Sequence, residues 1–581
     1  MAKKEKTTED AVEKEVKTKA VKEETAKKAA KTKKAEKAVT AETKAEVKKS
    51  VKTANKETEE KAKAASPRCR KKKTEETVSE EFKGLSAYSE KKKPARPSKK
   101  KAPALKKVLI VASEATPFSS SGGLGDVAGS LPGAIKEKYG NKYDVRVIVP
   151  LHSCISDEWR KKLTTVAVTS VPLSWRRQYC GVLQTVYEGV TYYFIDNEYY
   201  FKRRALYGEY DDGERYAFFC KAVLEVLPVI DFYPDIVHAN DWESALTVIY
   251  LKRRYGLMEH YSDIKTVFTI HNIAYQGVFG FEILGDVFDL SPFDREIVEY
   301  SGAINLMKGA IICADRVTTV SPTYAKEILC SKFSSGLHHV LEMHKGKLSG
   351  ILNGIDYDFY DPAKDPALFV NYDASTSQKK KENKMRFQEM VNLPVNGDIP
   401  MIAVISRLVA HKGLDLITIM AEDLLAQDVQ LVIIGQGDYH YESYFYNLME
   451  RYPGKVHTVL AYNRDLANKL YAAADIFLMP SKSEPCGLSQ MIASRYGAVP
   501  VVRETGGLYD TIRDIGWLDG SGNGFTFAPY SAMELHNALN RAIGCFYNKY
   551  EWDKLVKKVM NTDFSWNAAA DRYNELYGSL L

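Results

Sequence analysis

A chain of 581 residues, 45% hydrophobic and 11% aromatic, has the length and composition of a globular enzyme of two or three domains. Its formal net charge of +7 is unevenly placed, because residues 1–107 hold 35 Lys and Arg against 18 Asp and Glu and leave the remainder at −10. An acidic body argues against a domain that wraps nucleic acid, and no apolar run approaches a membrane span, so neither partner is expected.

Residues 1–105 are mostly Lys, Ala, Glu and Thr, with almost no large apolar side chains. Such a segment cannot bury enough surface to offset its chain entropy, so a disordered basic tail is expected. It reads as a solvated spacer whose partner is unknown, and its acidic residues make it a poor transit peptide.

From Lys107 short apolar runs alternate with amphipathic stretches. Strands are predicted at 108–112, 145–149, 192–195, 236–238 and 266–270, with helices from about Leu124, over 214–227 and over 243–254. A second series has strands at 401–405, 430–434, 476–479 and 499–502, separated by helices at 414–425, 466–473, 488–496 and 508–515. The alternation predicts an α/β chain of two doubly wound, Rossmann-like domains, whose strand ends can face one cleft. The domains are expected at 106–360 and 399–560, joined by the polar segment 361–398 with its Lys379-Lys380-Lys381 run. The eight cysteines are scattered without a C-x-x-C pair, which points to a reducing cytoplasm and to no metal centre.

Directly after the first strand comes Ser119-Ser120-Ser121-Gly122-Gly123-Leu124-Gly125-Asp126. Glycines let the backbone approach a ligand, and the helix that follows offers free N–H groups to an anion. Arg407 and Lys412 share the loop after the first strand of the second series, a spacing that can aim both cations at one phosphate pair. Glu484 follows the strand at 476–479, where a carboxylate can stabilise developing positive charge. Thr505, Gly506 and Gly507 open another helix and offer a second anion site.

An ordered set of segments extends these motifs. His-Ala-Asn-Asp-Trp stands at 238–242, His-Asn-Ile-Ala-Tyr-Gln-Gly at 271–277, Val-Ser-Pro-Thr-Tyr-Ala-Lys-Glu-Ile at 320–328 and Leu-Asn-Gly-Ile-Asp at 352–356. Ser-Arg-Leu-Val-Ala-His-Lys-Gly at 406–413, Ser-Glu-Pro-Cys-Gly-Leu at 483–488, Thr-Gly-Gly-Leu at 505–508 and Asp-Phe-Ser-Trp at 563–566 follow. Together they resemble the bacterial glycogen synthase and plant starch synthase family from about Lys107 to Leu581. The resemblance implies the GT-B architecture, with residues 561–581 packing back on the first domain. It also implies retaining transfer of glucose from a nucleotide sugar, ADP-glucose, to the non-reducing end of an α-1,4-glucan (glycogen or starch), with no further cofactor.

The same resemblance distributes roles. Arg407 and Lys412 bind the donor diphosphate, Glu484 is the active-site glutamate, and His271 hydrogen-bonds the transferred glucose with Asn272 in the same pocket. Cys486, Gly487 and Leu488 give backbone contacts near the sugar, Thr505, Gly506 and Gly507 hold the distal phosphate, and Tyr462 stacks on the base. Ser120, Gly122 and Gly123 form the donor loop, Asp126 and Asp241 receive sugar or acceptor hydroxyls, and Asn353 contacts sugar. Residues 238–242 are expected to line the cleft, with Trp175, Tyr179 and Tyr207 as candidates to stack on acceptor sugars. Three positions depart from the family pattern: Ser120 replaces its usual lysine, Asn240 a frequent histidine, and Ile492 a second glutamate of some related transferases. Ser120 and the long tail motivate an alternative, a catalytically impaired glucan-binding or scaffolding protein of the same fold.

Overall fold

The computed structural model describes residues 104–461, 463–516 and 520–581. The tail expected over 1–105 therefore falls outside the described residues except for its last two, and so does Tyr462.

Nine strands make the first sheet: β1 (Lys106–Val111), β2 (Tyr143–Pro150), β3 (Thr164–Leu173), β4 (Arg176–Tyr187), β5 (Val190–Asp196), β6 (Ile236–Asn240), β7 (Lys265–Ile270), β11 (Arg316–Thr319) and β12 (Leu348–Gly350). Three short strands, β8 (Val278–Phe279), β9 (Glu299–Tyr300) and β10 (Ala303–Asn305), form a small sheet between β7 and β11 in the chain. The large sheet runs β12-β11-β7-β6-β1-β2-β5-β4-β3, parallel except where β4 meets β3 and β5. The second sheet is parallel throughout, from β13 (Met401–Ile405), β14 (Gln430–Ile434), β15 (Val456–Val459), β16 (Ile476–Met479), β17 (Val499–Arg503) and β18 (Phe525–Phe527), in the order β15-β14-β13-β16-β17-β18.

The helices that bear on the site are α1 (Gly123–Tyr139), α2 (Asp212–Glu225), α3 (Trp242–Tyr250), α4 (Pro322–Glu327), α5 (Lys380–Met390), α6 (Leu414–Leu425), α7 (Arg464–Ala473), α8 (Ser489–Arg495), α9 (Gly506–Thr511) and α10 (Trp566–Gly578). With helices on both faces, the central strands are buried and mostly apolar: Leu109, Val111, Val237, Ile402 and Ile476 are fully buried. Strand order reverses beside β1 in one sheet and beside β13 in the other, and ligands bind beyond strand ends at such switch points. Ser120 follows β1, Asp241 follows β6 and His271 follows β7, while Arg407, Glu484 and Thr505 follow β13, β16 and β17.

Three features differ from the sequence reading. The segment 361–398 is not merely a polar link, because α5 docks on the second domain with Phe387 fully buried. Lys380, from the middle of the lysine run, is buried there and donates to Ala472 O and Tyr496 O, both at 2.8 Å. Carbonyls at the C-terminal ends of α7 and α8 thus satisfy an ammonium that sequence alone places in solvent. The helix predicted over 508–515 is α9, which stops at Thr511 because Arg513 turns out to bond Asn523 Oδ1 at 2.8 Å. His238 does not line the cleft. It lies under α10, bonded to the Tyr577 hydroxyl at 2.9 Å and to Thr269 Oγ1 at 2.6 Å. Burial pushes its imidazole down to about 3, so it is neutral. Tyr573 and Tyr577 on α10 are themselves buried, and each such ring contributes roughly 1.5–3 kcal/mol of transfer free energy that fastens the C-terminus to the first sheet.

Candidate functional site

Glu484 is 6% exposed, and its Oε2 accepts from Lys412 Nζ at 2.6 Å and from Ser481 Oγ at 3.0 Å. Lys412 reaches it because Gly413, at φ +72°, lets the β13–α6 loop press on the loop after β16; a Cβ there would stand 2.0 Å from Pro480 O. The Lys-Gly dipeptide thus sets a cation against a carboxylate at the meeting point of two strand ends. Arg407 is exposed on the same loop.

The α9 turn packs on the main chain of Glu484. Gly507 N–H donates to Glu484 O at 3.1 Å, and Gly506, at φ +46°, would bring a Cβ within 2.0 Å of that oxygen. The distal-phosphate site expected at Thr505, Gly506 and Gly507 is already filled. Thr505 Oγ1 at 2.9 Å and Gly506 N–H at 3.1 Å both donate to Glu327 Oε1, a carboxylate carried by α4 of the first domain. Cys486 is buried beside Asn353, whose main-chain N–H meets the thiol, and burial pushes that thiol up to about 12. Asn353 Oδ1 is buried without a hydrogen-bond partner among the described residues. Leu488 lies where a Cβ on Gly123 would be 3.8 Å from its Cδ1, so the glycine loop of one domain meets the glutamate loop of the other.

On the first-domain side, Asn240 Nδ2 donates to the carbonyls of Val111 and His238, both at 3.2 Å. That fixes Asn240 Oδ1 toward His271 Nε2 at 2.9 Å. An amide oxygen only accepts, so Nε2 carries the proton and Nδ1 is left as an acceptor. Burial holds the His271 imidazole down at about 3, so it is neutral near pH 7. Asp241, expected to receive a sugar hydroxyl, spends its Oδ1 on the His271 N–H at 2.7 Å, and burial pushes its carboxyl up to about 7. Asn272 Oδ1 accepts Ala274 N–H at 3.0 Å. Tyr324, on α4, takes Ile273 N–H on its hydroxyl at 3.2 Å and lies within the fields of both Asp241 and Glu484.

The glycine loop rests on Glu114, a residue the motif reading passed over although it sits between β1 and the loop. Its carboxylate accepts Ser121 N–H at 2.5 Å and Gly125 N–H at 3.2 Å. Burial pushes its pKa from 4.5 up to about 7. The folded state therefore binds the proton more tightly than the unfolded chain, and stability falls as pH rises from about 4.5 to 7. Glu114→Gln cannot titrate, so its stability relative to wild type is expected to rise across that window. Urea midpoints taken at several pH values check this, and parallel pH profiles for the two proteins would count against it. Ser120 is exposed, and its hydroxyl bonds back to Gly122 O at 3.3 Å.

Behind this loop lies a cavity of about 310 Å³, lined among others by Ser120, Asp126, Asp356, Phe359, Arg464 and Trp566. Burial pushes Asp126 up to about 6, against the pull of Arg464. Arg464 stacks over Phe359 at 4.7 Å from α7, whose cap is Asn463. The sequence reading missed Arg464; an asparagine cap with a cation beside it, just past Tyr462, was the available signal. Of the aromatic candidates, Trp175 and Tyr179 are exposed on the β3–β4 hairpin, while Tyr207 bonds Ser113 Oγ at 2.7 Å and packs inward.

Residues 107–343 match the starch synthase catalytic domain family, and 385–550 the glycosyl transferases group 1 family. Over 477 residues the chain is 46% identical to the glycogen synthase of Anoxybacillus flavithermus, a match covering 82% of this chain and 98% of that protein. This chain belongs to the glycogen and starch synthase family. The glycogen synthase of Clostridioides difficile is 48% identical over 477 residues, covering 81% and 99% of the two chains. The catalytic domain of starch synthase IV from Arabidopsis thaliana, solved with ADP and acarbose, superposes with a TM-score of 0.76 at 34% identity, over 82% of this chain and 99% of that one. The fold is the GT-B arrangement of this family, and the chain is a glycosyltransferase with glycogen or starch synthase activity. No finding favours the impaired alternative. Among the described residues no helix is long and apolar enough to cross a membrane, and no group of three or more His, Cys, Asp or Glu is placed to hold a metal ion.

Proposed function

We propose that this family member transfers glucose, with retention, from ADP-glucose to the non-reducing end of an α-1,4-glucan in the cytoplasm. The Lys412–Glu484 pair at 2.6 Å carries the reading, because glycosyl transfer develops two opposite charges side by side. As the anomeric C–O bond breaks, its electron pair goes to the diphosphate, whose growing negative charge meets Lys412 and Arg407. Positive charge on the sugar ring meets Glu484. Oε2 of Glu484 is held by Lys412 and Ser481, which suits a fixed field better than covalent attack. The acceptor hydroxyl attacks on the face the diphosphate leaves, and its proton passes to the departing oxygen. His271 Nδ1 receives a hydroxyl of the transferred glucose, with Asn272 and Asn353 beside it, while Asp241 acts by fixing the His271 main chain.

The diphosphate then runs past Gly122 and Gly123, with Ser120 in place of a cation, and past the backbone of Cys486, Gly487 and Leu488. The cavity beyond takes the base, with Tyr462 two residues from Arg464 in sequence. Its carboxylates Asp126 and Asp356 accept hydrogen bonds, so they suit the amino group of adenine, which uracil lacks. The acceptor domain corresponds to 106–360 and the donor domain to 399–560. With glycogen as acceptor, kcat/KM for ADP-glucose is expected to exceed that for UDP-glucose by about tenfold or more, one lost base contact being worth this much. Equal values, or a preference for UDP-glucose, would overturn the base assignment.

A further inference from the structure

We infer that Glu327 and Asp510 form a reciprocal clasp between the two domains that positions the Glu484 loop, an inference that rests on the proposed role of Glu484. Each of two short helices places an acid on the first turn of the other. Glu327, at the end of α4, accepts Thr505 Oγ1 at 2.9 Å and Gly506 N–H at 3.1 Å. Asp510, on α9, accepts Thr323 N–H at 2.9 Å and Thr323 Oγ1 at 2.6 Å. All four hydrogen bonds end on carboxylates, and both carboxylates sit where helix N–H groups point outward, so charge and dipole act together.

Both ends of the clasp lead to the cleft. On the donor side, the same α9 turn gives Gly507 N–H to Glu484 O at 3.1 Å, so displacing Thr505–Gly506 moves the main chain that carries the glutamate. On the acceptor side, Tyr324, one turn before Glu327, takes the Ile273 N–H at 3.2 Å, two residues beyond His271. The separation of Glu484 from His271, and with it the room for the glucose ring, is therefore set by α4 resting on α9. Glu327 and Asp510 are positioning residues; neither touches substrate. Because Glu327 keeps Thr505 and Gly506, the diphosphate is left to Lys412, Arg407, the glycine loop and the backbone of Cys486, Gly487 and Leu488.

The test uses the full chain carrying Glu327→Ala, Glu327→Gln, Asp510→Ala or Asp510→Asn. Kinetics with ADP-glucose and glycogen are read beside amide hydrogen exchange over 322–327 and 503–508. Each alanine variant is expected to lower kcat by about tenfold or more while KM for glycogen stays within about twofold, and the amide variants to recover part of the loss. Exchange is expected to speed up in the helix opposite the substitution, a readout independent of turnover. If the alanine variants do not fold, the amide variants decide, with a smaller fall in kcat and the same opposite-helix exchange. Wild-type kcat in the folded variants would overturn the clasp. So would a raised KM for ADP-glucose at unchanged kcat, or faster exchange confined to the substituted helix. Failure of the Glu484 reading shows separately, as full activity in Glu484→Gln.

Discussion

Glu484→Gln is expected to lower kcat by about 10²- to 10³-fold, with KM for glycogen within about twofold and the fold intact. Glutamine keeps the volume and one oxygen for Lys412 and Ser481, so the loop has little reason to move. What disappears is the negative charge beside the anomeric carbon, which matters most when that carbon is positive. An effect on kcat and not on acceptor KM follows directly, because the ground-state sugar is neutral. Thermal unfolding read beside the kinetics separates lost catalysis from lost protein. Activity within about threefold of wild type would remove Glu484 from the mechanism.

Lys412→Ala should be comparably damaging, by two routes that a second variant can separate. It removes the cation that meets the leaving diphosphate, which is expected to cost about 10²-fold in kcat/KM for ADP-glucose. It also strands Glu484, only 6% exposed, without its partner. Breaking a fully buried pair costs roughly 3–5 kcal/mol, and the partial exposure of Lys412 brings the expected loss nearer 1–3 kcal/mol. Adding Glu484→Gln removes the stranded charge, so Lys412→Ala/Glu484→Gln should regain stability and no activity. Denaturant unfolding of the three proteins checks the first part and steady-state kinetics the second. A double variant no more stable than Lys412→Ala would mean that the two side chains are not energetically paired.

Strands β13, β14 and β16 run where their apolar blocks place them, since each, after Gln430 at the head of β14, is an uninterrupted hydrophobic run closed by a glycine, proline or polar residue. The β3–β4 hairpin escaped the reading because one of its faces is solvated, so Thr, Arg and Gln dilute the apolar signal. Lys412-Gly413 and Glu484-Pro485 were legible as chemistry because both sit at strand ends, where local sequence decides both backbone and exposure. The occupant of the Thr505–Gly507 turn was not, because Glu327 lies 178 residues upstream and only tertiary packing brings it there. His238 misled for the same reason: 339 residues separate it from the Tyr577 hydroxyl that buries it. Lys380 shows the converse, a residue in a solvent-like charge run that neighbouring carbonyls draw inside. Local pattern reported which residue types stand at the strand ends; which were already spent on one another was settled by contacts between distant segments.

The most direct measurement is the anomeric configuration of the product when the full chain is given ADP-glucose and maltohexaose, followed by proton NMR as the reaction runs. Same-face displacement between Lys412 and Glu484 predicts a chain one glucose longer whose new linkage appears at once as an α-anomeric signal. A β-anomeric product, or release of free glucose with no elongated chain, would contradict it.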